Sequence, residues 1–290
     1  MTYKVTRPKG FITWQPREAT QEVLMQVEDI LQQYSEYWPL SIRQIFYRLV
    51  GIYDYDKTEK AYRRLCEYLG RARRARIIPF EAIRDDGWIR KEPNCYAGPG
   101  EFIDNVIRAA EGFVRDKQAG QANRVYLLAE AAGMIPQLAK VAEPYSIPVM
   151  SSGGFDSLTV KYDLAKEAIN GDKKAVFLHV GDYDPSGVCI FDSLAADIEA
   201  FAGSAAMFIR IVLTPEQIEY YNLPTAPAKK TDRRGNNVTD TCQAEALPPD
   251  ELARIVKEAI TNLYDMALYD DDCRQEIEDR KELINHLRRD

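Results

Sequence analysis

The sequence is poor in the residues from which many catalytic and metal sites are built. It has 290 residues but only two histidines, His179 and His286. The sequence therefore has too few histidines for a histidine-rich metal site and gives little basis for a Ser-His-Asp triad. The five cysteines stand far apart without a CxxC pair, and their odd number fits neither a disulfide framework nor a zinc cluster. Any bound metal is expected to be held by oxygen.

Long apolar runs and nucleotide-binding loops are also missing. No run approaches the roughly 20 residues that span a bilayer, and the start of the chain lacks the apolar core of a signal peptide. We therefore expect a cytoplasmic protein without membrane association. No GxxxxGKS or GxxxxGKT sequence occurs, so any ATP-driven step would need a separate ATPase subunit.

Charge is distributed unevenly along the chain. The formal net charge is −7, yet residues 60–76 hold seven lysines and arginines against Glu67 alone, a local charge of +6. This segment predicts an anion site such as a nucleic-acid backbone, with a solvated helix face as the alternative. Its arginines are Arg63, Arg64, Arg71, Arg73, Arg74 and Arg76.

The first third of the sequence has helical periodicity. One amphipathic helix is predicted within 17–34, and a second begins with a capping box formed by Ser41 and Gln44 and stops at Gly51. The basic segment forms a third helix, and residues 77–91 follow as a hairpin or loop. Three helices with a basic third helix and a wing indicate a winged helix-turn-helix domain, which we assign to residues 1–119.

From about residue 120 the pattern changes to strands alternating with helices. Near-continuous apolar strands in this order predict a parallel sheet covered by helices on both faces. The expected fold class is therefore α/β, with a second domain over residues 120–290. The end of that domain, after a polar loop, is predicted to be a helical appendage.

Three carboxylates stand at the ends of predicted strands. Glu130 closes RVYLLAE, whereas Asp182 and Asp184 close KAVFLHVGDYD. Ligand groups in an open parallel sheet gather beyond the carboxyl ends of the strands, and a cluster of acids there needs a cation. Mg²⁺ is the expected ion because it takes oxygen ligands and substrate phosphate. A purely structural alternative for Asp184 is a helix cap before Pro185.

The whole pattern resembles the Toprim domain of topoisomerases, primases and some nucleases. A strand-final Glu, an intervening strand ending in SSGG, and DYDPSG carry the resemblance. In that family the Glu and the two aspartates bind catalytic magnesium, which here implies Glu130, Asp182 and Asp184 as metal ligands.

The first domain resembles a narrower group. SIRQIFYRLVG looks like the winged-helix segment that carries the nucleophilic tyrosine in the topoisomerase VI A subunit and its meiotic double-strand-break relative. Tyr47 matches the tyrosine and Phe46 the aromatic residue before it. The order of the two domains is also that of this family, and the short chain is most similar to its compact forms on mobile elements.

The resemblance implies a Mg²⁺-dependent enzyme that cleaves double-stranded DNA. Tyr47 would attack a phosphodiester and form a 5′-phosphotyrosyl link, with Arg43 supplying positive charge. A homodimer is implied, in which the tyrosine of one protomer works with the metal of the other. A separate B-type ATPase subunit would drive strand passage. The expected DNA contacts beyond the site are Arg48, the six arginines of the basic segment, Lys229 and Lys230.

Two other functions remain open at this point. A Toprim nuclease would hydrolyse DNA with metal-activated water and use Tyr47 only structurally. A non-catalytic DNA-binding module would keep the fold without the chemistry.

Overall fold

The protein has a mixed α/β fold built around one parallel sheet. The computed structural model describes residues 11–84, 93, 95–151, 158–227 and 240–287. The helices are α1 (Glu18–Gln33), α2 (Ile42–Tyr53), α3 (Glu59–Arg74), α4 (Pro99–Glu111), α5 (Ile135–Ala142), α6 (Leu158–Asn170), α7 (Pro185–Ala202), α8 (Pro215–Tyr220), α9 (Pro249–Thr261) and α10 (Met266–Leu287). The strands are β1 (Asn123–Ala129), β2 (Val149–Ser151), β3 (Lys174–Val180), β4 (Ala206–Val212), β5 (Ala226–Pro227) and β6 (Asp240–Thr241).

Four of the strands form the parallel sheet in the order β2-β1-β3-β4, and β5 and β6 form a separate antiparallel pair. β1 and β3 are neighbours, and Ala129 lies opposite Val180 at their carboxyl ends. The residues that follow these two strands must therefore leave the sheet side by side. The predicted parallel sheet is confirmed, and so is the adjacency that the carboxylates require.

Helices cover both faces of the sheet, as predicted. Alternate residues of a strand point to opposite faces. On β1, Leu127 joins a core that includes α5 and α9, whereas Leu128 joins a smaller core with α6 and α7. α9 is thus part of a sheet-covering layer, since its Val256 and Ile260 are fully buried. The C-terminal helical appendage stays a prediction, with α9 packed against the second domain's sheet layer.

The three N-terminal helices lie where the periodicity predicts them. The capping box at Ser41 and Gln44 is confirmed: the Gln44 N–H donates to Ser41 Oγ at 3.1 Å, and the Ser41 N–H donates to Gln44 Oε1 at 2.9 Å. The predicted stop at Gly51 is wrong, because α2 continues to Tyr53 and ends at Asp54, whose φ of 52° is left-handed. Asparagine and aspartate tolerate that conformation, so glycine is not required here.

The wing is described only in part. Its first residues form a 3-10 turn over Phe80–Ala82, after which Ile83 pairs with Leu40; most of the rest lies outside the described residues. The winged-helix assignment and the division at residue 120 stay predictions. Among the described helices, none combines the length and apolar character that crossing a bilayer demands.

Candidate active site

The carboxylates predicted at the strand ends lie at one edge of the sheet. Glu130 directly follows β1, and its N–H donates to the Val180 carbonyl of β3 at 2.9 Å. Its Oε2 accepts from the Asp182 N–H at 2.9 Å. Asp184 Oδ1 accepts from the Gly187 N–H at 2.6 Å and so caps α7. The capping alternative for Asp184 is therefore confirmed, and the capping oxygen faces the same glycine as Glu130 Oε2.

Gly187 is the point on which these groups converge. A Cβ atom built there would meet Glu130 Oε2 at 3.0 Å, Asp184 Oδ1 at 3.3 Å and the Asp182 carbonyl oxygen at 2.7 Å. Only a residue without a side chain lets α7 begin this close to the acidic residues. In DYDPSG the aspartates supply the carboxylates, and the glycine lets the start of α7 lie close to them.

This close approach predicts that Gly187→Ala destabilises the protein. The added methyl group must displace the Asp182 backbone or the Glu130 carboxylate, so we expect a loss of about 1–3 kcal/mol in the free energy of unfolding. The matched control is Gly70→Ala on α3, where nothing lies within 4 Å of the added atom. That change is expected to stabilise the protein by about 0.5–1 kcal/mol. Urea unfolding measures both, and equal stability of Gly187→Ala and the native protein would contradict the close approach.

Asp182 is the most electrostatically perturbed of the three acids. Burial raises its pKa to about 7. The Ala244 N–H, which donates to Asp182 Oδ1 at 2.8 Å, opposes this shift. The nearby carboxylates of Glu130 and Asp184 raise the pKa further. A cation placed among these carboxylates would favour the charged form of Asp182 and so lower its pKa.

Arg210 supplies part of the positive charge at this edge. Its guanidinium donates to the carbonyls of Gly181 at 3.2 Å and Leu213 at 3.1 Å, and also to that of Asp182. It therefore holds the turn that carries the first aspartate. Sequence reasoning missed this residue, although a lone arginine in the apolar strand AAMFIRIVL was the available signal.

The carboxylates at this edge are oxygen donors of the kind that Mg²⁺ takes. In the described ranges, no group of three or more His, Cys, Asp or Glu side chains is arranged to hold a metal ion. Each of the three acids has one oxygen that accepts from a backbone N–H group, namely that of Ala244 for Asp182, of Asp182 for Glu130 and of Gly187 for Asp184. Glu130 and Asp184 still approach one another around Gly187, and Mg²⁺ usually binds through one or two carboxylates together with phosphate.

A short segment links this edge to α2. We call residues 242–246 the bridging segment. On one side, Cys242 pairs with Tyr183 through two backbone hydrogen bonds of 2.8 Å, next to the Ala244–Asp182 contact. On the other side, the Tyr47 hydroxyl donates to Gln243 Oε1 at 2.8 Å. The tyrosine and the first aspartate are thus held by adjacent residues of one chain.

Glu245 of the bridging segment fixes the start of α2. Its Oε1 accepts from the Ser41 hydroxyl at 2.6 Å, and its Oε2 lies 3.9 Å from Arg43 Nη1. Glu245 is buried, whereas the Arg43 side chain is 49% exposed. Burial by itself would lower the pKa of Arg43, but Glu245 and other acidic neighbours raise it. Arg43 therefore keeps its charge while facing solvent beside Tyr47.

Tyr47 is fixed by packing, and its hydroxyl keeps its proton at neutral pH. The residue is 8% exposed, and its ring meets that of Phe46 edge-on at 5.5 Å. Burial raises the pKa of Tyr47 to about 12, and Arg43 opposes that shift. Loss of the phenol proton therefore needs added positive charge near the hydroxyl, such as a bound cation or a cationic side chain.

Two clefts meet at Arg43 and Tyr62. The first, the Tyr47 cleft, has a volume of about 250 Å³, and its lining also includes Tyr47, Lys57 and Gln243. The second cleft, of about 480 Å³, reaches from Arg43 to residues 131–133, directly after Glu130, and Arg84 also lines it. Together the clefts run from Tyr47 to the residues that follow Glu130, along a surface that carries arginine and lysine and also Glu59 and Glu245.

Arg48 occupies a different position from the one predicted for it. It donates to the Ala246 carbonyl, and burial lowers its pKa. A half-buried arginine in this position ties α2 to the bridging segment, so its predicted DNA contact has no support here.

The arginines of α3 are partly engaged within the protein. Arg63 and Arg71 pair with glutamates one turn away at 2.5 and 2.7 Å. Arg73 lies over the Phe80 ring at 4.7 Å, and Arg76 over Phe11 at 4.1 Å. Exposed pairs one turn apart are weak, so Arg63 and Arg71 remain available to an anion. All six arginines of the basic segment stay predicted DNA contacts, Arg73 and Arg76 included, and Lys229 and Lys230 lie outside the described residues.

Sequence reasoning also missed Lys57, Gln243 and Glu245. The last two belong to a stretch that reads as an irregular tail, and no local pattern marks them. The family resemblance rests on SIRQIFYRLVG and DYDPSG, which fall on α2 and on the turn into α7, and on Glu130 after β1. It also rests on SSGG, of which residues 152–154 lie outside the described residues. In comparisons with known proteins, the chain matches no family model, no curated protein and no solved structure.

Proposed function

We propose that the protein is a magnesium-dependent transesterase that cleaves double-stranded DNA through Tyr47, in the manner of the A subunit of a type IIB topoisomerase. One observation carries the proposal: the bridging segment holds the Tyr47 hydroxyl at Gln243 and the Asp182 carboxylate at Ala244. A nucleophile and an acidic edge suited to Mg²⁺ thus lie on two sides of the same five residues.

The two clefts support a path for one DNA strand. Arg43 lines both of them, so a backbone phosphate bound there would have Tyr47 on one side and the residues after Glu130 on the other. Arginine binds phosphate oxygens in pairs and suits this position. Such contacts carry no sequence information, and the proposed enzyme would choose its sites by other means.

The reaction assigns a separate task to each group. The Tyr47 oxygen forms a bond to phosphorus, the bond from phosphorus to the 3′-oxygen breaks, the phenol proton passes to solvent, and the 3′-oxygen takes a proton from solvent. Gln243 orients the hydroxyl, and Arg43 compensates the charge on the phosphate. Glu130 and Asp184 would hold Mg²⁺, with Asp182 beside them. The bound ion would supply positive charge at the leaving oxygen.

Hydrolysis without a covalent intermediate is the second candidate. It is favoured by the state of Tyr47, because a phenol that is 8% exposed and has a pKa of about 12 is a poor nucleophile in the free protein. In a nuclease the same acidic edge would bind the metal, and the Tyr47 hydroxyl would serve only as a hydrogen-bond donor to Gln243.

A covalent-trapping experiment separates these candidates. The protein is incubated with 5′-end-labelled and 3′-end-labelled duplex DNA and Mg²⁺ or Mn²⁺, denatured in detergent and resolved by electrophoresis. We expect protein attached to the 5′ end at the break, with the attached peptide within residues 42–53. Free ends without an adduct would favour the nuclease, and intact DNA with measurable binding would favour a binding module.

Tyr47 and Asp182 contact the bridging segment of the same chain, which favours a site whose tyrosine and metal ligands come from one chain. The family resemblance instead implies that the tyrosine of one protomer works with the metal of the other. Mixing Tyr47→Phe with Asp184→Asn chains tests this. If each chain supplies its own tyrosine and metal, the mixture forms no adduct. Pairing across protomers would restore about a quarter of the sites. A 1:1 mixture of native chains with chains carrying both substitutions is the complementary test, because about half of its sites stay active if one chain completes the site and about a quarter if protomers pair.

Further partners complete the proposal. In a homodimer two such sites would make a staggered double-strand break, and the exposed arginines of α3 would bind flanking phosphates. The sequence contains no P-loop, so strand passage would require a separate ATPase subunit of the B type.

A further inference from the structure

The Tyr47 cleft holds a second cation that sequence reasoning did not identify. Lys57 lies just before α3, and its ammonium group is 5.9 Å from the centre of the Tyr47 ring. Arg43 borders the same cleft from α2. The cleft beside the Tyr47 ring therefore carries one positively charged side chain from α2 and one from the loop before α3.

The position of Lys57 is fixed by contacts away from the cleft. Its Nζ donates to the Thr225 carbonyl at 2.6 Å, so one of its three protons is used and the others can bind a ligand. The residue is half-buried, in contrast to the exposed lysines of the surface. A lysine held in this way loses little side-chain entropy when it binds an anion.

The cleft is also placed at the amino terminus of α3. Thr58, which caps this helix, lines the cleft together with Lys57 and Arg43. Glu59 also lines it, and its carboxylate pairs with Arg63 at 2.5 Å. Free backbone N–H groups and the helix dipole add positive potential at that end. The cleft volume of about 250 Å³ leaves room for a phosphate group beside the hydroxyl.

We propose that Lys57 binds a non-bridging oxygen of the phosphate attacked by Tyr47, so that Lys57 and Arg43 hold that phosphate from two sides. This inference rests on the proposed transesterase function. During the displacement, negative charge grows on the phosphate oxygens, and a positioned ammonium group stabilises it. The same charge favours loss of the Tyr47 proton to solvent. Lys57 would then act on the rate of the covalent step more than on DNA affinity.

The test compares Lys57→Gln, Lys57→Arg and a control, Lys257→Gln on the exposed face of α9. Glutamine can still donate to Thr225, so the fold is expected to survive. Adduct formation is followed in single turnovers at several pH values, and the Kd for the same duplex is measured in Ca²⁺. We expect Lys57→Gln to slow the reaction by about 10²-fold or more, with its pH profile displaced to higher pH. Lys57→Arg should recover most of the rate.

Each other result overturns the assignment. Adduct formation by Lys57→Gln at the native rate would show that Lys57 does not act on the attacked phosphate, while leaving the transesterase intact. Weaker DNA binding at an unchanged rate of adduct formation would mean that Lys57 contacts a phosphate other than the attacked one. A slower rate with no pH displacement and no recovery by arginine would mean a structural role. Failure of the native protein to form any adduct would remove the proposed function and this inference with it.

Discussion

Replacing Tyr47 with phenylalanine is expected to abolish the covalent protein–DNA adduct, lowering its rate of formation by at least about 10³-fold. The substitution removes only the oxygen that forms the bond to phosphorus. The ring still packs against Phe46, and the lost hydrogen bond to Gln243 costs about 0.5–1.5 kcal/mol of folding free energy. The variant should therefore fold and bind DNA.

The matched control is Tyr55→Phe. Tyr55 belongs to the same aromatic cluster, with its ring 6.1 Å from that of Phe46 and its hydroxyl 3.3 Å from the Ala61 carbonyl. It should form adduct at the native rate. Trapping with end-labelled duplex, together with thermal unfolding of each variant, measures both effects. An undiminished adduct from Tyr47→Phe would refute the assignment of the nucleophile.

Asp184→Asn is expected to remove the response to magnesium while leaving the fold unchanged. Asparagine caps a helix about as well as aspartate, so the hydrogen bond from the Gly187 N–H should survive. The carboxylate charge is lost, and we expect adduct formation to fall by at least about 10²-fold. A bound ion stabilises the native protein by about 2.7 kcal/mol at a hundredfold excess over its Kd. The variant should lose this stabilisation.

Asp265→Asn provides the control for helix capping. Asp265 Oδ1 accepts from the N–H groups of Ala267 and Leu268 at the start of α10, away from the acidic edge. Its asparagine variant should respond to Mg²⁺ as the native protein does. Thermal unfolding with and without Mg²⁺ gives the comparison independently of activity. If Asp184→Asn were stabilised as strongly as the native protein, the proposed magnesium site would be wrong.

The magnesium response should also depend on pH. The pKa of Asp182, about 7 in the folded protein, is above its ordinary value of 3.8. Between those values the folded chain keeps a proton that the unfolded chain has lost, so metal-free stability falls as pH rises. A bound cation offsets the cost of burying the charged Asp182 carboxylate, and it binds more tightly as the carboxylates deprotonate. The stabilisation by Mg²⁺ should therefore grow from pH 6 to pH 8.

The fold follows from the sequence where the pattern is local or strongly periodic. The capping residues of α2 and the apolar strands β1 and β3 are examples, because hydrogen bonding to a nearby backbone and side-chain alternation act over a few residues. The packing partner of α9 does not follow from the sequence in this way. Its amphipathic pattern indicates a helix with one buried face, but the partner of that face is chosen by distant residues.

The candidate site divides in the same way. The sequence by itself determined which functional groups are present and on which elements they lie: carboxylates after two parallel strands, a glycine next to them, and a tyrosine on a capped helix among arginines. Only the tertiary structure decided that the bridging segment joins Tyr47 to Asp182 and that Lys57 and Arg210 lie beside them. Those contacts connect residues far apart in the chain, and they form because burial of the core packs α2 against residues 242–246. No local periodicity records a pairing of that kind.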